Sequence, residues 1–143
     1  MTEKDVKNSI EYWKKTAEHD NKAMLALYKS KEYSNSLFFG HIILEKVLKG
    51  LYVKENKQHA PFTHDLSFLN KGIESGLSKV EDKFLDEVNN FNIRARYPDV
   101  KFKFYKECTK DFTEGKLKEI ELIYKKYLAH FEIHLQNLFL LHF

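Results

Sequence analysis

Val6, Ile10, Trp13, Ala17, Asp20, Met24 and Leu27 follow one another at spacings of four and three without a break. That alternation is the stripe of a long amphipathic helix; a strand, whose side chains alternate every second residue, does not produce it. A second stripe runs Leu37, His41, Leu44, Leu48 and Leu51, widened by Phe38, Ile42 and Tyr52. A third begins near Glu114 and carries Leu117, Ile120, Tyr124, Tyr127, Phe131, His134, Leu138 and Leu141. Each stripe has to be buried against another, and a near-3.5 repeat suits shallow crossing angles.

The punctuation between these stripes is sparse. Five Gly and two Pro in 143 residues are far below ordinary usage, about 12% of a chain, so the many turns of a sandwich or barrel are missing. Asn56 to Pro61 breaks the second helix, because Pro61 disfavours helical geometry at Ala60. Thr63-His-Asp-Leu66 reads as the start of a short helix with Thr63 as its capping hydroxyl, continued by Leu66, Leu69 and Ile73 and ended by Gly76. Ser78-Lys-Val-Glu81 is a capping-box pattern that opens a fourth helix, with Val80, Phe84, Val88 and Phe91 inward. Pro98 stops that helix near Arg96, and residues 98 to 112 show no clean helical period. Breaks are therefore expected near residue 30, at 57 to 62, near 77 and at 97 to 113. The expected fold is all-α, an antiparallel four- to five-helix bundle in which residues 1–143 form a single domain.

Composition narrows the function classes. One cysteine, Cys108, excludes an intramolecular disulfide framework and a cysteine zinc site. No apolar run of about 18 residues is present for a membrane span, and the charged N-terminal run lacks a signal-peptide core, so a cytoplasmic location is expected. The net charge of +3 is too small to argue nucleic-acid binding by itself.

The arrangement of charge is more informative. Of 24 basic residues only two are Arg, and both lie in Asn92-Ile-Arg-Ala-Arg-Tyr-Pro-Asp99. From Arg94 to Lys110 six basic residues stand against Asp99 and Glu107. In so lysine-biased a chain, arginine at 94 and 96 suggests a need for the planar guanidinium fork that grips a phosphate or carboxylate; a salt bridge pinning the helix end is the competing explanation. Lys101-Phe-Lys-Phe-Tyr-Lys106 alternates cations with aromatics, a pattern that can neutralise phosphates and stack bases, or dock its rings on the bundle while its lysines stay in water. The two arginines would face one ligand only if the helix unwinds before Arg96, since two residues on a continuing helix point about 200° apart.

Other polar residues have quieter explanations. Asp20 and His41 interrupt two apolar stripes and could satisfy each other by a hydrogen bond. His130 and His134 have i, i+4 spacing, but Glu132 between them does not give the zincin order and no third ligand stands out; no metal and no cofactor are expected.

Three short runs together resemble a known family. Phe39-Gly-His-Ile-Ile-Leu-Glu-Lys-Val-Leu-Lys-Gly-Leu51 resembles the HEPN helix that carries Phe, His, Glu-Lys and Lys. Thr63-His-Asp-Leu66 and Arg96-Tyr-Pro-Asp99 are similar to the family's Thr-His-Asp-Leu and Arg-Tyr-Pro-Asp segments, and Trp13, Ala17 and Asp20 fit its first helix. The resemblance extends over about residues 6 to 130. It implies a four- or five-helix bundle, commonly a homodimer, that handles nucleotides or RNA, often beside a nucleotidyltransferase in toxin–antitoxin or defence systems. Catalytically active HEPN ribonucleases carry an Arg followed four to six residues later by His, and no His lies between His64 and His130 here. The resemblance therefore implies a non-catalytic nucleotide- or RNA-binding module, with Arg94, Arg96, Asp99, Lys101, Lys103 and Lys106 as binding residues. The alternatives are a metal-independent RNA endonuclease pairing Arg96 with His41 or His64, and a protein partner of a nucleotidyltransferase.

Overall fold

A computed structural model describes the backbone of residues 1–141 and the side chains of residues 1–132. It consists of six helices: α1 (Glu3–Lys29), α2 (Tyr33–Asn56), α3 (Leu66–Lys71), α4 (Lys79–Arg96), α5 (Pro98–Glu107) and α6 (Lys110–Leu141). No strand occurs among the described residues. None of the helices there is long and apolar enough to cross a membrane.

The most hydrophobic helix takes the centre. α2 packs against every other helix, and Leu37, Ile43, Leu44, Val47, Leu48 and Leu51 are buried on it. Ser36 Oγ donates to the Met24 carbonyl at 3.1 Å and Lys46 pairs with Asp20 at 2.5 Å, so α1 runs antiparallel to α2. α6 meets Gly40 through Ile120 and Gly50 through Phe131, so it runs in the same direction as α2. α4 opposes α6, with Glu87 on Lys116 at 2.8 Å and Glu81 on Lys126 at 2.5 Å. The four long helices thus form an antiparallel bundle, with α3 and α5 as short additions. Two glycines make the close packing of α2 feasible. A Cβ on Gly50 would lie 3.2 Å from both Trp13 Cβ and Phe131 Cζ, and one on Gly40 only 2.6 Å from Ile120 Cδ1.

Several local expectations change. Residues 98 to 107, which lack a clean period, form α5: Pro98 occupies its first turn, where a missing N–H costs nothing. Only Phe104 of this helix is buried, while Phe102 and Tyr105 stay exposed, and one inward residue cannot set a period. α6 starts at Lys110, one turn before Glu114. The cap of α3 is Asp65, not Thr63: its Oδ1 accepts from Ser67 N and Phe68 N, while Thr63 Oγ1 accepts from Asp65 N at 3.1 Å and so holds the cap in place. The capping box on α4 forms as the sequence indicates, Ser78 Oγ accepting from Glu81 N and Glu81 Oε1 from Ser78 N.

Candidate functional site

α4 is helical through Arg96, and only Tyr97 turns to extended backbone. The two arginines therefore diverge. Arg94 turns to α5, where its guanidinium meets Glu107 at 2.7 Å and lies 4.8 Å from the Phe104 ring centroid. It clamps the α4–α5 corner. Arg96 is exposed, lies 5.9 Å from the Tyr97 ring centroid and makes no ion pair among the described residues.

Arg96 opens on a cleft of about 290 Å³ lined also by His41, His64, Asp65, Asn89, Asn92 and Ile93. Its walls are α2, the 57–65 loop and α4. The cleft brings together three of the sequence candidates, Arg96, His41 and His64. It does not include Arg94, nor Asp99, Lys101, Lys103 and Lys106, which are exposed on α5. A larger groove of about 740 Å³ lies between α1 and α6, where Ile10, Tyr124 and Leu128 sit among alternating lysines and glutamates. Size alone does not select it, since none of the candidate residues lines it and its charges are mixed along both walls.

The cleft's hydrogen bonds form two connected series. In the first, His41 is buried and its Nε2 donates to the His64 carbonyl at 2.8 Å, which leaves the Nδ1 lone pair to accept from Asn92 Nδ2 at 2.8 Å. Burial is the main force on this imidazole and pushes its pKa below 6.5, partly opposed by the His64 carbonyl and Glu45; the ring is neutral. Because the neutral ring presents a lone pair, the Asn92 amide has to turn its NH2 toward it. Asn92 Oδ1 is left buried with no hydrogen-bond partner among the described residues.

In the second series, the His64 side chain is about two-thirds exposed and its Nδ1 lies 2.7 Å from Glu45 Oε1. The other Glu45 oxygen accepts from the buried Lys49 at 3.2 Å, and the Lys49 ammonium lies 5.5 Å from the Trp13 ring centroid. An imidazole oriented by a carboxylate through Nδ1 presents Nε2 outward. Asp65, the acidic member of the lining, accepts from Ser67 N, Phe68 N and Asn89 Nδ2, which holds its carboxylate to the α3 cap. Arg96 is the guanidinium of the lining, the group able to fork onto an anion there.

The remaining polar candidates have structural partners. Asp20 pairs with Lys46 rather than His41. His130 lies 3.2 Å from Glu55, and the His134 side chain falls outside the described residues. No cluster of three metal-ligating side chains exists among the described residues. Cys108 is buried and its thiol is pushed up to about 12 by desolvation, which removes it as a nucleophile at neutral pH.

Glu45, which holds His64 from behind the cleft, and the lining residues Asp65, Asn89 and Asn92 do not stand out as site residues in the sequence. A signal for the last two is present: Asn89, Asn92 and Arg96 are spaced by three and four, a polar stripe on α4 beside its apolar one.

A sequence model described as HEPN domain matches residues 10–130. The fold is similar to that in the crystal structure of TT1696 from Thermus thermophilus, with a TM-score of 0.73 at 17% identity over 85% of this chain and 98% of that one. No curated protein matches the sequence.

Proposed function

The chain belongs to the HEPN domain family, a nucleotide- and RNA-related class of helical modules, and from that premise we propose that it binds RNA or a nucleotide by gripping a phosphate with Arg96. One observation carries the reading: of the two arginines, Arg94 is committed to Glu107 and Phe104, while Arg96 is free of any acidic partner among the described residues and stands at the mouth of a polar cleft. A guanidinium offers five donors in a fixed plane and keeps its charge at any physiological pH. Lys101, Lys103 and Lys106, exposed on the next helix, add diffuse attraction without specificity. The test is fluorescence anisotropy of an end-labelled single-stranded RNA. Binding that weakens steeply with salt, and roughly tenfold further in Arg96→Ala, supports the reading; no binding at low salt overturns it.

A second reading, metal-independent RNA cleavage, draws on the Glu45–His64 pair beside Arg96. With Nδ1–H held by the carboxylate, His64 Nε2 is available to take a proton from a 2′-hydroxyl as its oxygen bonds to the adjacent phosphorus and the P–O5′ bond breaks, the 5′-oxygen taking its proton from water, while Arg96 steadies the phosphorane charge. Labelled RNA incubated with EDTA separates the two. Fragments ending in a cyclic phosphate, lost in His64→Ala, favour cleavage; bound but intact RNA favours the binding module.

The assembly belongs to the same proposal. Phe62, Ile93, Tyr97, Phe102 and Tyr105 are large apolar side chains exposed in the 57–65 loop, at the end of α4 and on α5. Their exposure is support for a two-fold homodimer, and sedimentation at tens of micromolar, an order-of-magnitude choice for weak dimers, tests it; a monomer there contradicts it. A nucleotidyltransferase partner in a toxin–antitoxin or defence setting completes the reading, and co-purification with such an enzyme encoded beside this chain is its check.

A further inference from the structure

α5 carries the alternating cations and aromatics of Lys101-Phe-Lys-Phe-Tyr-Lys106, and the helix sorts them. Phe104 turns inward and is buried against Phe91, with ring centroids 5.8 Å apart. Phe102 and Tyr105, three residues apart and so neighbours on one helix face, stay outside, as does Tyr97 at the α4–α5 corner; each is more than half exposed. Docking on the bundle therefore accounts for Phe104 and leaves the other rings to solvent.

The charge around these rings is basic. Lys101, Lys103 and Lys106 are exposed and make no ion pair among the described residues. Of the acidic residues on α5, Asp99 lies in the first turn, where the helix dipole favours it, and Glu107 is held by Arg94 at 2.7 Å. Lys106 Nζ lies 4.5 Å from the Phe102 ring centroid, and the Arg96 guanidinium 5.9 Å from that of Tyr97. Cations and rings thus interleave in space, and Tyr97 joins this face to Arg96. No Phe, Tyr or Trp lines the Arg96 cleft itself, so a base on a strand gripped there has to stack outside it. A two-fold contact centred on α5 would set its lysines against their own copies. A second copy is left the exposed apolar side chains off this helix, Phe62 and Ile93.

Resting on the phosphate-binding reading, we infer that the outward face of α5 is a stacking platform for unpaired bases. With one phosphate on Arg96, the neighbouring bases lie on Tyr97, Phe102 and Tyr105 while Lys101, Lys103 and Lys106 meet the backbone. From Tyr97 to Tyr105 the face is about 12 Å long at a rise of about 1.5 Å per residue, room for about two or three bases. Every base has a flat face to stack, so the platform selects single strands over duplexes and reads no sequence.

The experiment titrates the full chain, at one salt concentration, with a labelled single-stranded RNA, the same RNA annealed to its complement, and an abasic strand of equal length. The single strand is expected to bind roughly tenfold tighter than the abasic strand, the equivalent of about 1.4 kcal/mol. It should also bind more tightly than the duplex, whose charge is denser but whose bases are already stacked on one another. Phe102→Ala should weaken the single strand roughly tenfold and leave the abasic strand unmoved, while Phe102→Trp keeps the single strand bound. Phe102 is exposed, so its loss opens no cavity, and the abasic strand measured on the same variant reports any damage to the fold. Single and abasic strands that bind equally, and are both weakened by Arg96→Ala, overturn the platform and leave the phosphate reading intact. So does single-strand binding that Phe102→Ala does not change. Sedimentation of Phe102→Ala as a monomer where the unmodified chain is a dimer gives the ring to a second copy and likewise overturns the platform. Absence of binding by every strand overturns both readings.

Discussion

Two arginines separated by one residue occupy opposite kinds of environment. Arg94 is half-buried, paired to Glu107 and laid over Phe104, which stacks on Phe91 with ring centroids 5.8 Å apart. Arg96 is exposed at a polar cleft with no acidic partner among the described residues. The same side chain is a structural clamp at one position and an open cation two residues on, because an unbroken helix turns about 200° between them. The expectation that both face one ligand required α4 to unwind before Arg96, and it does not. What separates a binding arginine from a packing one here is the company it keeps.

That contrast can be broken most forcefully from the clamp side. Phe104 is fully buried and is the one buried side chain of α5, so Phe104→Ala should cost about 3–5 kcal/mol in chemical denaturation. A loss below about 1 kcal/mol would mean that α5 is not held by that ring. Arg94→Met keeps the stem and removes the charge. It should cost about 1 kcal/mol, discounted because Glu107 is substantially exposed, and should leave RNA binding unaltered at matched salt.

Sharpening the cleft side calls for a change of pH. In the unfolded chain His41 titrates near 6.5; in the folded chain it titrates lower because it is buried. Between those two values the unfolded state holds the extra proton, so stability falls as pH drops through 6.5 toward the folded value, and the loss is complete below it. Melting curves from about pH 7 to about pH 5.5 should show this decline, and His41→Gln should flatten it. A melting temperature that rises on acidification would contradict a neutral, buried His41.

The fold was largely written in the sequence because helices declare themselves by period. The α1 stripe, the α2 stripe and the Ser78 capping box each specify local geometry without needing a distant partner. α5 was hidden because a ten-residue helix with one buried residue has no period to display. The cleft was half-legible: Arg96, His41 and His64 stand out as chemistry, but their meeting depends on α2, the 57–65 loop and α4 being packed side by side. Asn92 was invisible as a site residue, since its state follows from which nitrogen of His41 donates, and that follows from a carbonyl 23 residues away along the chain. Asp20 shows the converse. Its place in an apolar stripe correctly marked a polar side chain satisfied by a neighbour, half-buried between helices, while the choice of Lys46 over His41 as its partner was decided by the register of α1 on α2.

The smallest expected effect on stability belongs to Arg96, and it accompanies the effect on binding that matters most. Arg96→Lys should change unfolding free energy by no more than about 0.5 kcal/mol, since no ion pair is lost. The direct test is a side-by-side RNA titration of the unmodified chain, Arg94→Lys and Arg96→Lys at one salt concentration. Loss of the guanidinium fork at 96 should weaken binding by roughly 1–2 kcal/mol, while the change at 94 leaves affinity near that of the unmodified chain. If Arg96→Lys binds RNA as tightly as the unmodified chain and instead melts earlier, Arg96 is a second clamp and the cleft is not the phosphate site.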